Sequence, residues 1–284
     1  MPQRKSRGSS DAAGGESACF SDSRGLTLNI IVCVKSVPGI ITGLNISDAG
    51  DRLEPKVRLE SMNESDEYAL EEALVLRKEN GGTVTAITAG PASSEEIMRT
   101  ALAKGADKAL RVDMSSNDPV ITSVVLAEAI RKMDFALILT GLESGDNLAA
   151  QVGIATAERL NIPFLFAATR IEIISAGKAA RVTKEIGGAI HEVLDIRLPA
   201  LVCTQTGIQK LTYAPVAKLF QARRQGVPCV NISDFGLSKE QLEATTRWKF
   251  LEVVKPEKRH TAELIRGTPA EIAPGIIARI KEVL

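Results

Sequence analysis

The sequence predicts an α/β protein built on a doubly wound, mostly parallel sheet. Three observations carry that prediction. Short apolar runs of buried-strand type alternate with helical stretches from residue 26 to about residue 160, as right-handed βαβ units require. Aliphatic residues are plentiful and aromatics make up 4% of the 284 residues, which suits strands whose two faces are filled by branched side chains. Glycines and a Gly-Pro turn fall between these runs, where they end helices and reverse the chain.

Residues 1–25 are rich in Ser, Gly and Ala with little to bury, so a disordered extension is expected there. Its early basic residues resemble a transit peptide, but Asp11, Glu16 and Asp22 oppose that reading and no apolar core of a secretory signal is present. A start assigned too far upstream accounts for the stretch equally well. Asn29 to Lys35 reads as the first strand. After a long loop, a helix is expected from Asn63 to Glu79, with Ser61 and Glu64 at capping-box spacing and Gly81-Gly82 as its stop. Thr83 to Thr88 is the next strand, and a helix follows from Ser93 or Ser94, with Glu96 placed for a box, to Gly105. Ala109 to Val112 is the third strand. Asp118 caps, and Pro119 begins, a helix through Lys132. Phe135 to Thr140 is the fourth strand, and a helix is expected from about Asp146 to Leu160.

After Pro163 the texture changes. Leu165 to Ile174, Ala180 to Ile186, His191 to Ile196 and Ala200 to Thr204 read as strands, expected to pair antiparallel and extend the sheet. From Gln205 the chain is rich in loops, with a basic helical stretch near Lys218 to Arg224. A final helix ends at Leu284, and Pro274 lies near its start or kinks it. This tail has too few apolar positions for a core of its own, and a second subunit is its expected support. The expected division is therefore an extension (1–25), a nucleotide-binding α/β domain (26–232) and a C-terminal arm (233–284) wrapping a partner.

Composition excludes several classes. Lysine and arginine balance aspartate and glutamate, 35 against 35, so no field of one sign favours nucleic acid or an anionic membrane. No apolar run approaches the roughly 20 residues that span a bilayer, so a soluble protein is expected. The four cysteines show no CxxC spacing, which opposes a disulfide framework or zinc site and fits a reducing cytoplasm. Two histidines are too few for a multi-histidine metal site or a conventional nucleophile triad. His191 reads as structural or solvent-facing.

In an open α/β sheet, ligands bind beyond the carboxyl ends of the strands at the switch in strand order. Cys33-Val34-Lys35, the loop up to Asn63, Ala89-Gly90-Pro91 and Gly141 to Gly153 are expected to meet there. The last turns on Gly141 and Gly145 and enters the predicted helix at Asp146 or Asn147. Two readings stand: a phosphate held by free N–H groups at the helix start, or a capped helix in which Asp146 bonds only backbone. On the first reading Gly145 is the glycine that must lie close to the ligand. Neither a Walker loop nor a G-x-G-x-x-G follows any strand. Lys35 reads as a solvated strand-end lysine or a phosphate sensor, and Cys33 as a small buried hydrophobe. The cluster Lys218, Arg223 and Arg224 reads as solvated or as the match for an acidic partner.

These residues resemble the β-subunit family of the electron transfer flavoproteins over nearly everything after the first 25 or so positions. The resemblance rests on Val32-Cys-Val-Lys35, Ser61-Met-Asn-Glu-Ser-Asp-Glu-Tyr-Ala-Leu-Glu-Glu-Ala73 and Ala89-Gly-Pro91 with Met98-Arg-Thr-Ala-Leu-Ala-Lys-Gly-Ala-Asp107. It also rests on the Gly141–Gly153 loop and on Val182-Thr-Lys184, Gly188, Glu192-Val-Leu194 and Pro199-Ala-Leu-Val-Cys203. The family implies a Rossmann-like, adenine-nucleotide-binding fold and a heterodimer with an α subunit that supplies most FAD contacts. It implies AMP, or in electron-bifurcating members a second FAD, within the β chain. The carried-over nucleotide contacts are Cys33, Asn63, Glu64, Ser65, Asp66, Ala89, Gly141, Ser144, Gly145, Asp146, Asn147, Leu148, Ala149, Ala150, Gln151 and Val152. Thr212 to Lys218 corresponds to a loop that docks on dehydrogenases such as acyl-CoA dehydrogenases, the chain itself being an electron carrier rather than an enzyme.

The sequence departs from many relatives, which carry further acids where Asn147, Leu148 and Ala149 stand. Gly187 replaces an expected acid, and Ala214-Pro215-Val216-Ala217 stands where a leucine and lysines are usual. The nucleotide and the dehydrogenase stay open. So do a stand-alone adenine-nucleotide protein of the same fold and a scaffold without its nucleotide.

Overall fold

The structure, a computed structural model, describes residues 27–39, 44–47, 53–55, 60–246, 251–252, 254 and 264–283; the predicted extension 1–25 lies outside them. Along the chain come β1 (Asn29–Cys33), β2 (Ser36–Pro38), β3 (Leu44–Ile46), β4 (Leu53–Pro55), β5 (Glu60–Met62), α1 (Glu64–Asn80), β6 (Thr83–Gly90) and α2 (Glu95–Lys104). Then follow β7 (Lys108–Asp113), α3 (Pro119–Arg131), β8 (Leu137–Gly141), α4 (Val152–Leu160), β9 (Phe164–Ile174), β10 (Ala179–Gly187), β11 (Ile190–Arg197) and β12 (Ala200–Thr204). The last elements are α5 (Val216–Arg223), β13 (Cys229–Asn231), α6 (Lys239–Thr245) and α7 (Pro269–Val283).

Nine strands form one sheet in the order β11-β10-β9-β12-β8-β1-β6-β7-β13. From β1 the chain steps outward through β6 and β7, then returns to the other side of β1 as β8. The switch in strand order therefore lies between β1 and β8, which pair in parallel with Cys33 opposite Thr140. Period-two alternation along β1 explains the two layers. Ile30 and Val32 join Leu70 and Leu76 of α1 and Met98 of α2 on one face. Ile31 and Cys33 join Val125 and Ile130 of α3 and Ala157 of α4 on the other.

The sequence reading of the doubly wound sheet agrees with this architecture, and four local expectations are corrected. β10 pairs antiparallel with both β9 and β11 as expected, but β12 inserts between β8 and β9 and is parallel to both. The Ser61–Glu64 box is absent: Asn63 is the N-cap of α1, with no side-chain cap bond. Likewise Ser94 caps α2 without a side-chain bond, after one 3₁₀ turn at Ala92–Ser94. The fourth predicted helix begins at Val152, well beyond Asp146. By contrast, Asp118 accepts from the N–H of Val120 at 2.7 Å, and Pro119 opens α3 as the sequence indicates.

The chain divides into two compact units, one comprising residues 1–39 and 59–247, the other 40–58 and 248–284. Ile232, Phe235, Leu237 and Leu242, which the sequence assigns around the start of the arm, pack in the α3 layer of the first unit. In the second unit β3 and β4 pair antiparallel, Leu44 opposite Pro55. Its helix α7 opens with the Glu271 carboxylate accepting from the Thr268 N–H at 2.8 Å, and Pro274 lies inside the helix. Among the described residues no helix is long and apolar enough to cross a membrane.

Candidate functional site

The two strands at the switch point end on backbone N–H groups that the sheet does not use. Asp66, in the first turn of α1, takes both: one carboxylate oxygen accepts from Lys35 N–H at 2.8 Å and the other from Gly141 N–H at 2.9 Å. The carboxyl is buried. Burial pushes its pKa up to about 7, against the pull of the two amide bonds, Asn63 and the Lys35 charge. Gly141 is required here, because a Cβ would stand 2.4 Å from the Asp66 carboxylate and 2.6 Å from the Ser65 Cβ.

Asn63 shapes the loop above this floor. Its amide donates to the Glu143 carbonyl at 2.8 Å and its oxygen accepts from Gly145 N–H at 3.0 Å. The Lys35 ammonium pairs with Asp146 at 2.6 Å and donates to the Ser144 hydroxyl at 3.2 Å, so it is neither a free nor a purely solvated lysine. Asn147 folds back on the loop, accepting from Ser144 Oγ at 2.7 Å and Ala149 N–H at 3.2 Å. Leu148 and Ala150 both adopt left-handed backbone, with φ of 50° and 51°. That conformation breaks right-handed helix, which is why α4 starts at Val152.

Between the strand ends, this loop and the start of α3 lies an open cleft of about 750 Å³, its mouth included. The structure brings Cys33, Asn63, Asp66, Ala89, Gly141, Ser144, Asn147, Ala149, Ala150, Gln151 and Val152 to its walls. Five of the carried-over residues are not in the lining. Glu64 is exposed on α1, Ser65 is buried under Gly141, Gly145 and Asp146 hold the loop, and Leu148 is 63% exposed. Gly145 has open space where its Cβ would be, the nearest protein atom, Asn63 Oδ1, lying 4.0 Å away. Gly153 is the glycine packed closely within the protein: a Cβ there would stand 2.7 Å from Cys203 Sγ and 2.8 Å from Thr140 Oγ1.

The cleft wall also includes Ser116, Asn117, Pro119, Thr122 and Leu126, which the sequence reading missed. The signal was present: Asp118-Pro119 starts a helix directly after the third strand, at the same sheet edge. Burial pushes the Cys33 thiol far above its ordinary value and the Cys203 thiol up to about 11, so neither is a thiolate nucleophile. Both Asp66 oxygens are engaged by amides, and the rest of the lining combines small, apolar and neutral hydrogen-bonding groups with Lys35 and Glu143.

Fold and cleft together define a Rossmann-like α/β protein with its cleft at the switch point of the sheet. The model of the electron transfer flavoprotein domain matches residues 57–232. The chain is 32% identical over 224 residues to the electron transfer flavoprotein subunit beta of Bacillus subtilis, covering 78% of this chain and 85% of that one. It is 29% identical to the subunit beta of Methylophilus methylotrophus, covering 90% of this chain and 98% of that one. It is 32% identical to the caffeyl-CoA reductase-Etf complex subunit CarD of Acetobacterium woodii, with the same coverage of 90% and 98%. The chain belongs to the electron transfer flavoprotein family, on its β-subunit side, and its function is electron transfer as part of a flavoprotein.

Proposed function

We propose that this chain pairs with an α subunit to complete an FAD site, and that its own cleft holds an adenine nucleotide, either AMP or a second FAD. The observation that carries the nucleotide reading is the cleft itself. It lies at the switch point, where open α/β sheets bind ligands, and Gln151, Val152 and Gly153 bring the start of α4 to its wall. Gln151 makes no side-chain cap bond, so the first amides of that helix are available to an anion. Ala89, Ala149 and Ala150 leave room for a flat ring system, and Ser116, Asn117 and Thr122 offer hydrogen bonds to its edge or to a ribose. These residues fit an adenylate. FAD supplies the one- and two-electron chemistry when bound; this chain's residues bind, orient and exclude water.

The segment Thr212 to Lys218 is the docking element for dehydrogenases, of which acyl-CoA dehydrogenases are the first to try. It presents Tyr213, 99% exposed, beside exposed Val216 and Phe220. The arm after residue 247, with exposed Ile276, Ile277 and Ile280 on α7, packs on the α subunit. Free thiols at Cys33, Cys203 and Cys229 suit a reducing cytoplasm.

Co-expression with the α subunit, followed by identification and counting of released nucleotides, tests the reading. One FAD and one AMP per heterodimer makes this a simple carrier. Two FAD favours an electron-bifurcating member. A single FAD with no second nucleotide sinks the assignment of the cleft.

A further inference from the structure

Helix α1 carries a second set of buried acidic side chains, beyond the turn that builds the cleft. Glu71 and Glu72 are 5% and 2% exposed. Glu71 lies 2.8 Å from the ammonium of Lys104 on α2, an ion pair whose side chains are 6% and 4% exposed. The same Glu71 oxygen accepts from Thr212 N–H at 3.1 Å and from its hydroxyl at 2.8 Å. Glu72 accepts from the Gln209 side-chain amide at 2.8 Å. Burying two carboxylates is costly unless they are well bonded, and three of the bonds that satisfy them come from a single loop stem.

Directly after that stem the chain turns outward. Tyr213, Val216 and Phe220 are exposed apolar groups, and Lys210, Lys218 and Arg224, within a few residues of them in sequence, are exposed cations. An apolar centre with a basic rim fits a partner protein whose docking face is apolar with an acidic rim.

We infer that Glu71 and Glu72 are positioning residues: they hold the stem Gln209–Thr212 and so fix how the Tyr213 surface is presented to an acidic partner. The presentation half rests on the docking reading of the segment; the clamp rests on the hydrogen bonds alone. A loose stem leaves the surface to be ordered at each encounter, which weakens docking without touching the flavin.

The test uses the heterodimer with its α subunit, carrying Thr212→Val, Thr212→Ser or Tyr213→Ala. A double variant, Glu71→Gln with Lys104→Met, removes the ion pair without leaving a lone buried charge. Tryptic cleavage after Lys210 reads the stem. KM and kcat with a substrate-reduced medium-chain acyl-CoA dehydrogenase read docking. Thr212→Val loses one bond to a charged group and should be cut about tenfold faster, with KM raised, kcat and flavin content kept, and Thr212→Ser restoring both readouts. Unchanged cleavage in Thr212→Val and in the double variant overturns the clamp. If cleavage rises and Tyr213→Ala raises KM but Thr212→Val does not, the clamp does not serve docking and the inference falls. If neither variant moves KM, or the wild type accepts no electrons from this dehydrogenase, the presentation half falls and the cleavage result alone decides the clamp.

Discussion

Glu72 and Asp66 are acids whose folded environment favours the proton. The Glu72 pKa rises to about 7, chiefly through burial, with the Gln209 bond opposing and the Glu79 charge assisting. A folded pKa above the unfolded one, whether 4.5 for Glu72 or 3.8 for Asp66, contributes stability that is complete below the unfolded value. That contribution is lost as pH rises toward 7. Glu72→Gln keeps an acceptor for Gln209 and cannot titrate, so denaturation at pH 5 and pH 8 should show a smaller difference than in wild type. The change is at most about 3 kcal/mol, at about 1.4 kcal/mol per pKa unit. An unchanged difference would mean that Glu72 titrates normally. Glycines give a second comparison at this scale. Gly153→Ala forces its Cβ against Cys203 and Thr140, and should cost about 1–3 kcal/mol of stability in denaturant titration. Gly145→Ala meets nothing closer than 4.0 Å and should stay within about 0.5 kcal/mol of wild type.

The start of α4 shows best what an element owes to its sequence and what it owes to distant residues. Asp146-Asn147-Leu148-Ala149-Ala150-Gln151 contains a capping residue followed by helix formers, and read locally it is the first turn and a half of a helix. Asn63 and Lys35 override it, through bonds to Glu143, Gly145, Ser144 and Asp146 from positions about 80 or more residues away, which no local pattern records. The cost is paid in backbone conformation at Leu148 and Ala150, so Ala150→Gly should stabilise the protein by up to about 1 kcal/mol in thermal or denaturant unfolding. A loss of stability there would show that the methyl group packs more usefully than its φ costs. The same competition removed the Ser61–Glu64 box, because the chain places Asn63 at the cap and spends its side chain on the loop. Where the decisive bond is local, as at Asp118 with Val120, the boundary was legible. Eight of the nine strands of the main sheet were legible too, as apolar runs, whereas β13 and the short strands β2 to β5, of three residues each, were not. The insertion of β12 between β8 and β9 was not, since parallel and antiparallel buried strands share one apolar pattern. At the site, the loop and strand ends could be read from glycines and the switch-point rule. The α3 wall was hidden in side chains that look like ordinary helix-start residues.

At the scale of the molecule, the second compact unit leaves the apolar residues Leu251, Val254, Leu264, Ile276, Ile277 and Ile280 exposed, more than a chain working alone would carry in so short a segment. Ending the chain after Arg247 should therefore abolish co-purification with the α subunit while leaving the first unit folded by circular dichroism. Retention of α at wild-type ratio would place the interface elsewhere. The β7 edge of the nine-stranded sheet has a consequence during synthesis. Among the described residues the outer edge of β7 is paired by β13 alone, whose three residues begin at Cys229, although β7 itself is complete at Asp113. At ribosomal rates of about 5–20 residues per second, that edge waits on the order of ten seconds for its neighbour. A nascent chain stalled before residue 229 thus offers an open strand to any other β-prone chain nearby, and chaperone engagement should peak within that window of translation.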